Sequence, residues 1–321
     1  MDLPMITKIS RRDFVKGSLL ASATIPLALE GMRPAAAAEP GLVEAMPKGK
    51  IAGQEFSRLM MGGNLMAGWS HSRDLSYVST LMRRYNTPAK IRETLELGEA
   101  QGITAINSYV QDDNTQLFEH WKNGGKMKWF VQARMDGGGG FSQFQRAIDE
   151  GAAAVHVNGD AAEMLVNTEQ AEKIGQAVQL VKSQKRIAGV AAHDLKVLLE
   201  CEKLKVDADF YQKTFHSHEY YTAPGPGEKG PMGNHDNSWC SDPQAVVDFM
   251  AGVAKPWIAF KILAAGAIAP RAAFPYAFNS GADFILVGMF DWQVAEDAAL
   301  ASRVIRIIGG ADSKRTRKWC S

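Results

Sequence analysis

From residue 58 to residue 308 the chain alternates between short apolar runs and longer stretches whose apolar residues recur every three or four positions. The short runs read as buried strands at 58–62, 105–109, 128–133, 153–157, 187–191, 210–215, 257–263 and 284–287. Helices are predicted between them, over 87–101, 168–183, 242–253 and 270–279. In the first, Pro88 stands near the start and Ile91, Leu95 and Leu97 form the apolar side. In the second, Ile174, Ala177, Val178 and Val181 do so. Asp242-Pro243 is a cap followed by a proline in the first turn. Gly102, Gly151 and Gly281 each precede a strand, where a helix-ending glycine is expected. Alternation of this kind gives a parallel sheet, and eight units close it. The expected class is α/β, a single (β/α)8 TIM barrel. The rival is an open doubly wound sheet, and no Gly-x-Gly-x-x-Gly follows a strand to support it.

The first 38 residues lie outside this pattern. Ser10-Arg11-Arg12-Asp13-Phe14-Val15-Lys16 resembles the twin-arginine export signal. An apolar stretch from Ser18 to Leu29 follows, then Pro34-Ala35-Ala36-Ala37-Ala38, with cleavage expected after Ala38. The division is therefore a cleavable signal peptide at 1–38 and a barrel catalytic domain at 39–321. The apolar part is short of the roughly 20 residues a membrane span needs, so no stable span is expected in the mature form. The resemblance implies an exported, periplasmic protein handled by the twin-arginine translocation machinery. That route carries folded proteins, which favours a metal, a tightly held cofactor or none over a freely exchanging nicotinamide.

Composition adds limits. Hydrophobic residues are 46% and charged residues 22%, as in folded soluble domains. The net charge of +1 gives no field to attract nucleic acid. The short basic tail at 314–318 reads as a solvated terminus. Three cysteines, Cys201, Cys240 and Cys320, make no disulfide framework; a single Cys201–Cys240 or Cys240–Cys320 bond stays open. The loop Asp136-Gly137-Gly138-Gly139-Gly140 lacks the ending of a phosphate-binding loop and reads as a flexible connection.

Active sites of such barrels lie at the C-terminal strand ends, and polar residues gather there. Tyr109 closes the second strand, Arg134 follows the third, His156 sits on the fourth, and His193-Asp194 follows the fifth. Lys213 and Lys261 lie in the sixth and seventh, where burying an unpaired ammonium is costly. His216, Ser217, His218 and Glu219 open the long loop to residue 241. Of seven histidines, His156, His193, His216, His218 and His235 fall at or after strand ends four to six. Imidazoles with carboxylates are common divalent-metal ligands, so His216, His218, Glu219 and Asp194 are the candidate metal set. His156, His193, Lys261, Arg134 and Tyr109 are the candidate catalytic set. Without metal, the histidines serve as acid and base near neutral pH. A buried lysine of lowered pKa can also form a Schiff base. Trp69, Tyr109, Tyr220, Tyr221 and Trp239 offer flat walls for a sugar-like ring. The expected function is a lyase, isomerase or hydrolase, metal-assisted or acid–base, acting on a sugar-like or small carbonyl or polyol substrate.

Three stretches resemble the aldo-keto reductases. Gly102-Ile103-Thr104-Ala105-Ile106-Asn107 is similar to that family's second strand, Val155-His156 to its fourth, and Phe260-Lys261-Ile262-Leu263-Ala264-Ala265-Gly266 with Gly288-Met289 and Glu296-Asp297 to its seventh and eighth. The resemblance implies an NADPH-dependent oxidoreductase as the alternative, with His156 and Tyr109 as surviving catalytic groups. The family's aspartate position holds Asn107, its tyrosine position Asp112 and its lysine position Gln132. A third alternative is a non-enzymatic periplasmic binding protein.

Overall fold

A computed structural model describes residues 45–69, 71, 75–225, 228, 236–310, 313 and 315–320. The leader and His235 lie outside the described residues. Eight parallel strands close into a barrel in the order β10-β3-β4-β5-β6-β7-β8-β9. They are β3 (Leu59–Gly62), β4 (Ala105–Tyr109), β5 (Lys128–Ala133), β6 (Ala154–Val157), β7 (Ile187–Ala192), β8 (Phe210–Thr214), β9 (Trp257–Phe260) and β10 (Phe284–Gly288). The expected α/β barrel is therefore the observed one. Its strands are almost wholly buried because helices cover the outside and side chains fill the inside.

The predicted caps account for the helix starts. Thr87 accepts from the Lys90 N–H ahead of helix Pro88–Ala100, and Asp242 accepts from the Ala245 N–H ahead of helix Pro243–Ala251. Gly102, Gly151 and Gly281 adopt φ of 78°, 97° and 108°, which side chains on an L-residue disfavour. The stretch 168–183 holds one helix, Glu172–Ser183, and a separate helix Gly159–Asn167 comes before it.

Large and small residues alternate inside the barrel. Phe130, Phe210 and Phe284 interdigitate with Ala105 and Ala154. Gly189 makes room for Phe210, whose ring carbons would lie 2.3 Å from a Cβ there. Below this layer a hairpin absent from the sequence reading, β1 (Lys48–Ile51) and β2 (Gln54–Ser57), closes the N-terminal end. Its Ile51 and Phe56 join the interior cluster, and Phe56 meets Phe130 edge-on at 5.0 Å. Ala52 and Gly53, both at positive φ, make the turn. Ala-Gly is a weaker turn signal than Asn-Gly, which is why the pattern did not show it.

The C-terminal tail is not the solvated terminus its charge suggested. Asp283, fully buried at the foot of β10, takes Arg315 Nη2 at 3.1 Å, Arg317 Nη1 at 2.5 Å, the Cys320 N–H at 2.8 Å and the Trp257 N–H at 2.9 Å. Trp319 is sandwiched between the guanidinium groups of Arg58 and Arg315 at 3.9 and 3.7 Å. All three cysteines are free. Among the described residues no helix is long and apolar enough to cross a membrane. Since Asp283 balances two buried guanidiniums, Asp283→Asn is expected to lower folding stability by about 3–5 kcal/mol, read as the urea unfolding free energy. A loss under 1 kcal/mol would show the tail to be incidental.

Candidate functional site

One layer above the apolar interior the same strand faces carry Asn107, Gln132, His156 and Gln212, each two residues beyond an inward apolar side chain. Asn107 Nδ2 donates to Gln212 Oε1 at 3.1 Å and lies 3.5 Å from His156 Nε2. Burial, with no charge to offset it, pushes the pKa of His156 down to about 3, so its imidazole is neutral. Wholly inaccessible and packed on Phe210 at 5.8 Å, His156 belongs to the barrel filling. The sequence placed it in the catalytic set; the structure places it below the rim.

The rim gathers the other groups. Helix Gly159–Asn167 follows β6 and presents Asp160 and Glu163 to the end of β7. Glu163 Oε1 accepts the backbone N–H groups of His193 and Asp194 at 2.6 and 2.9 Å. His193 Nδ1 lies 3.2 Å from Glu163 and 3.3 Å from Asp160. Its close packing requires Gly159, where a Cβ would sit 3.0 Å from the imidazole. Arg134 donates to Asp160 Oδ2 at 2.8 Å and to Asn158 Oδ1 at 3.1 Å, and its guanidinium lies 6.0 Å from the Tyr109 ring. Burial lowers the pKa of His193, against the pull of Glu163; Glu163, though raised by burial, is lowered overall by His193 and the two N–H groups.

Lys261 is the central group. The sequence put it inside the seventh strand, but β9 ends at Phe260 and Lys261 turns away with φ of 56°. Ala264 and Ala265 follow at 45° and 56°, so backbone strain is concentrated at this strand end. Its Nζ stands 3.2 Å from the centre of the Trp239 ring and 2.7 Å from His71 Nε2. His71 Nδ1 in turn lies 3.0 Å from Asp236 Oδ1. Among the described residues no carboxylate comes within salt-bridge range of Nζ. Burial, only partly offset by Asp160, Asp236 and Glu163, lowers the ammonium pKa to about 7. Burial and the neighbouring Lys261 lower His71 to about 4.

The four residues expected to bind metal do not converge. His216 Nδ1–H donates to the Ser217 carbonyl at 3.0 Å, and its Nε2 accepts the Cys240 N–H at 3.0 Å. His218 donates to the Cys240 carbonyl at 2.6 Å. Glu219 is exposed. Asp194 caps helix Leu195–Lys203 by accepting from the Lys196 N–H. His216 thus spends both ring nitrogens and His218 its Nε2 on the backbone, and both pin the segment that holds Trp239. Lys213 is likewise structural: its buried Nζ donates to the carbonyls of His193 and Thr214 and to Thr214 Oγ1. The glycine-rich loop closes on Asp136, which accepts from Ser142, and is a turn ahead of helix Ser142–Asp149.

Asp160, Glu163 and His193 do offer ligand atoms within 4.8 Å of one another. They fit a divalent cation in distance and in donor type, but other partners already engage their oxygens. Glu163 Oε1 already takes two N–H groups, Asp160 Oδ2 takes Arg134, and Lys261 adds a cation to the same rim. The sequence reading missed Glu163, Asp160 and His71, because nothing in a helix or an apolar-poor loop marks residues that meet only through the barrel.

No protein-family profile matches the chain, and no curated protein matches its sequence. Solved structures share the barrel. A Pseudomonas aeruginosa protein assigned to the aldo-keto reductases is 15% identical, with a TM-score of 0.54 over 80% of this chain and 96% of that one. A Bacillus halodurans aldo-keto reductase in its holo form is 9% identical, with a TM-score of 0.55 over 84% and 98%. A Gox0644 variant in complex with NADPH is 11% identical, with a TM-score of 0.54 over 82% and 89%. At these identities the likeness is one of fold: the chain shares the TIM barrel of these structures.

A consequence for stability concerns His156 and His216, held near 3 and near 4 by burial. Below pH 6.5 the unfolded chain protonates at both positions while the native state resists. Stability is therefore full above pH 6.5 and falls as pH drops toward 4, by up to about 1.4 kcal/mol per pH unit for each histidine. Urea midpoints between pH 7 and 4.5 are expected to fall, with a shallower slope in His216→Gln; an unchanged slope would contradict the assignment.

Proposed function

We propose that the chain is an exported barrel enzyme that moves protons on a small carbonyl or polyol substrate at its C-terminal rim, with lyase or isomerase chemistry. The observation that supports this best is Lys261, an amine held against Trp239 beside His71 with its pKa near 7. A base works best when its pKa is close to the working pH. Lys261 in its neutral form takes a proton from the carbon next to a carbonyl. His193, held by Glu163 and Asp160, returns a proton on the other side of the site. Arg134 draws a hydroxyl or carboxylate of the substrate toward Tyr109, and Trp239 with Phe260 forms the apolar wall. No step requires a metal. Export follows from the leader and puts the substrate outside the cytoplasm.

The test is deuterium incorporation into dihydroxyacetone and pyruvate in D2O, followed by NMR. The purified protein is expected to accelerate exchange, with the rate rising through pH 7 as Lys261 loses its proton. Lys261→Met is expected to lower it about 10²-fold or more, and a chelator to leave it unchanged. Exchange no faster with protein than without would refute the reading.

A second reading, NADPH-dependent oxidoreduction, is favoured by the shared barrel with the NADPH-bound Gox0644 variant. The side chains oppose it. Asp112, at the tyrosine position, accepts from Trp69 Nε1 at 2.8 Å, and Gln132, at the lysine position, accepts from Asn158. Fluorescence titration with NADPH is expected to show no saturable binding; tight binding would revive the reductase.

A further inference from the structure

We propose that Lys261 is a nucleophile that forms an imine with its substrate's carbonyl, and that His71, held by Asp236, carries the protons. This rests on the rim reading above and changes one role in it: Lys261, there the base, becomes the nucleophile, and His71 becomes the base. The argument begins with the two buried lysines. Lys213 is enclosed by three oxygens that accept all of its protons, so its lone pair is never free. Lys261 has one hydrogen-bonding partner among the described residues, and that partner is a nitrogen.

The direction of that bond is fixed. Asp236 accepts from His71 Nδ1–H, so the Nε2 lone pair faces Lys261 and must accept from it. A neutral histidine braced by a carboxylate and bonded to the attacking atom is the arrangement by which nucleophiles are activated. The same chain of three groups, His71, Asp236 and Lys261, comes from the loop after β3, the segment before helix Pro243–Ala251 and the end of β9 respectively. Trp239 covers one side of Nζ at 3.2 Å. An aromatic face attracts a cation, and the protonated imine is a cation fixed at the same atom. The strained turn at Lys261 keeps the amine over that face.

The step balances without any further reagent. The Nζ lone pair attacks the carbonyl carbon, a C–N bond forms, and the C=O π pair moves to oxygen. His71 Nε2 takes one amine proton and delivers it to that oxygen. The second amine proton follows the same path, the oxygen leaves as water, and the nitrogen lone pair closes the C=N bond. One solvent proton then gives the iminium. The substrate class is a small ketone or aldehyde bearing a hydroxyl or carboxylate next to the carbonyl, which Arg134 and Asp160 at the rim can engage.

Borohydride trapping tests this. The full-length mature protein is incubated with dihydroxyacetone or with pyruvate, reduced, and mapped by peptide mass spectrometry beside the deuterium-exchange measurement. A reduced adduct on Lys261 is expected, absent in Lys261→Arg, which keeps the charge but forms no imine. His71→Gln and Asp236→Asn are expected to slow trapping at least tenfold without moving the adduct. Circular dichroism confirms that each variant is folded. Adducts spread equally over exposed lysines in native protein and Lys261→Arg would overturn the proposal. Exchange that persists without trapping would overturn it too, leaving Lys261 as a base. Loss of both exchange and trapping would remove the rim reading itself.

Discussion

A closed ring of eight parallel strands holds a dry interior, and polar side chains can meet water only where the strands end. That constraint governs the molecule. Inside, Asn107 is bonded to Gln212, Gln132 accepts from Asn158 just above, and the buried His156 Nδ1 finds no partner among the described residues. At the N-terminal end the β1–β2 hairpin seals the barrel with Ile51 and Phe56. At the foot of β10 the buried Asp283 is neutralised by Arg315 and Arg317, and a second group of charged side chains, Asp160, Glu163 and Lys261, gathers at the opposite end.

At that end Trp239 is the common contact. Its ring touches Lys261 at 3.2 Å, His71 at 4.6 Å and His193 at 4.8 Å. It is held in place from below. Thr214 Oγ1 donates to its carbonyl, His216 accepts from the next N–H, and His218 donates to the next carbonyl. Tyr220 and Thr222 fix Asn237 and Ser238 just before it. The histidine-rich loop is a scaffold for an aromatic surface. Burial of an amine against that surface, away from a countercharge, is what separates Lys261 from the saturated Lys213. A neutral imidazole suits the scaffold role of His216, which uses one nitrogen as donor and the other as acceptor, a pattern that protonation would break.

The strands, their order of appearance and the barrel were legible because most strands carry a run of apolar residues and the helices predicted between them keep an apolar stripe. Caps at Thr87 and Asp242 and the glycines at 102, 151 and 281 are local chemistry, set by neighbours within a few residues. The hairpin was not legible because its turn is Ala-Gly and its two strands are four residues each. The basic tail misled for a related reason. Charge in sequence reads as solvated, and only the fold brings Arg315 and Arg317 to Asp283.

The candidate site divides along the same line. Sequence determined that Tyr109, Arg134 and His193 stand at strand ends, because the period of a strand is a local property; it carried the seventh strand past Phe260 and so put Lys261 inside it. It could not tell which histidines have free nitrogens. His216 and His218 are spent on Cys240, while His71, from a loop nearly two hundred positions away, reaches Lys261. Hydrogen-bond partners of that kind are chosen by closure of the ring, which sets distant strand ends side by side. Only the tertiary structure decided them, since no residue's near neighbours in the chain carry that information.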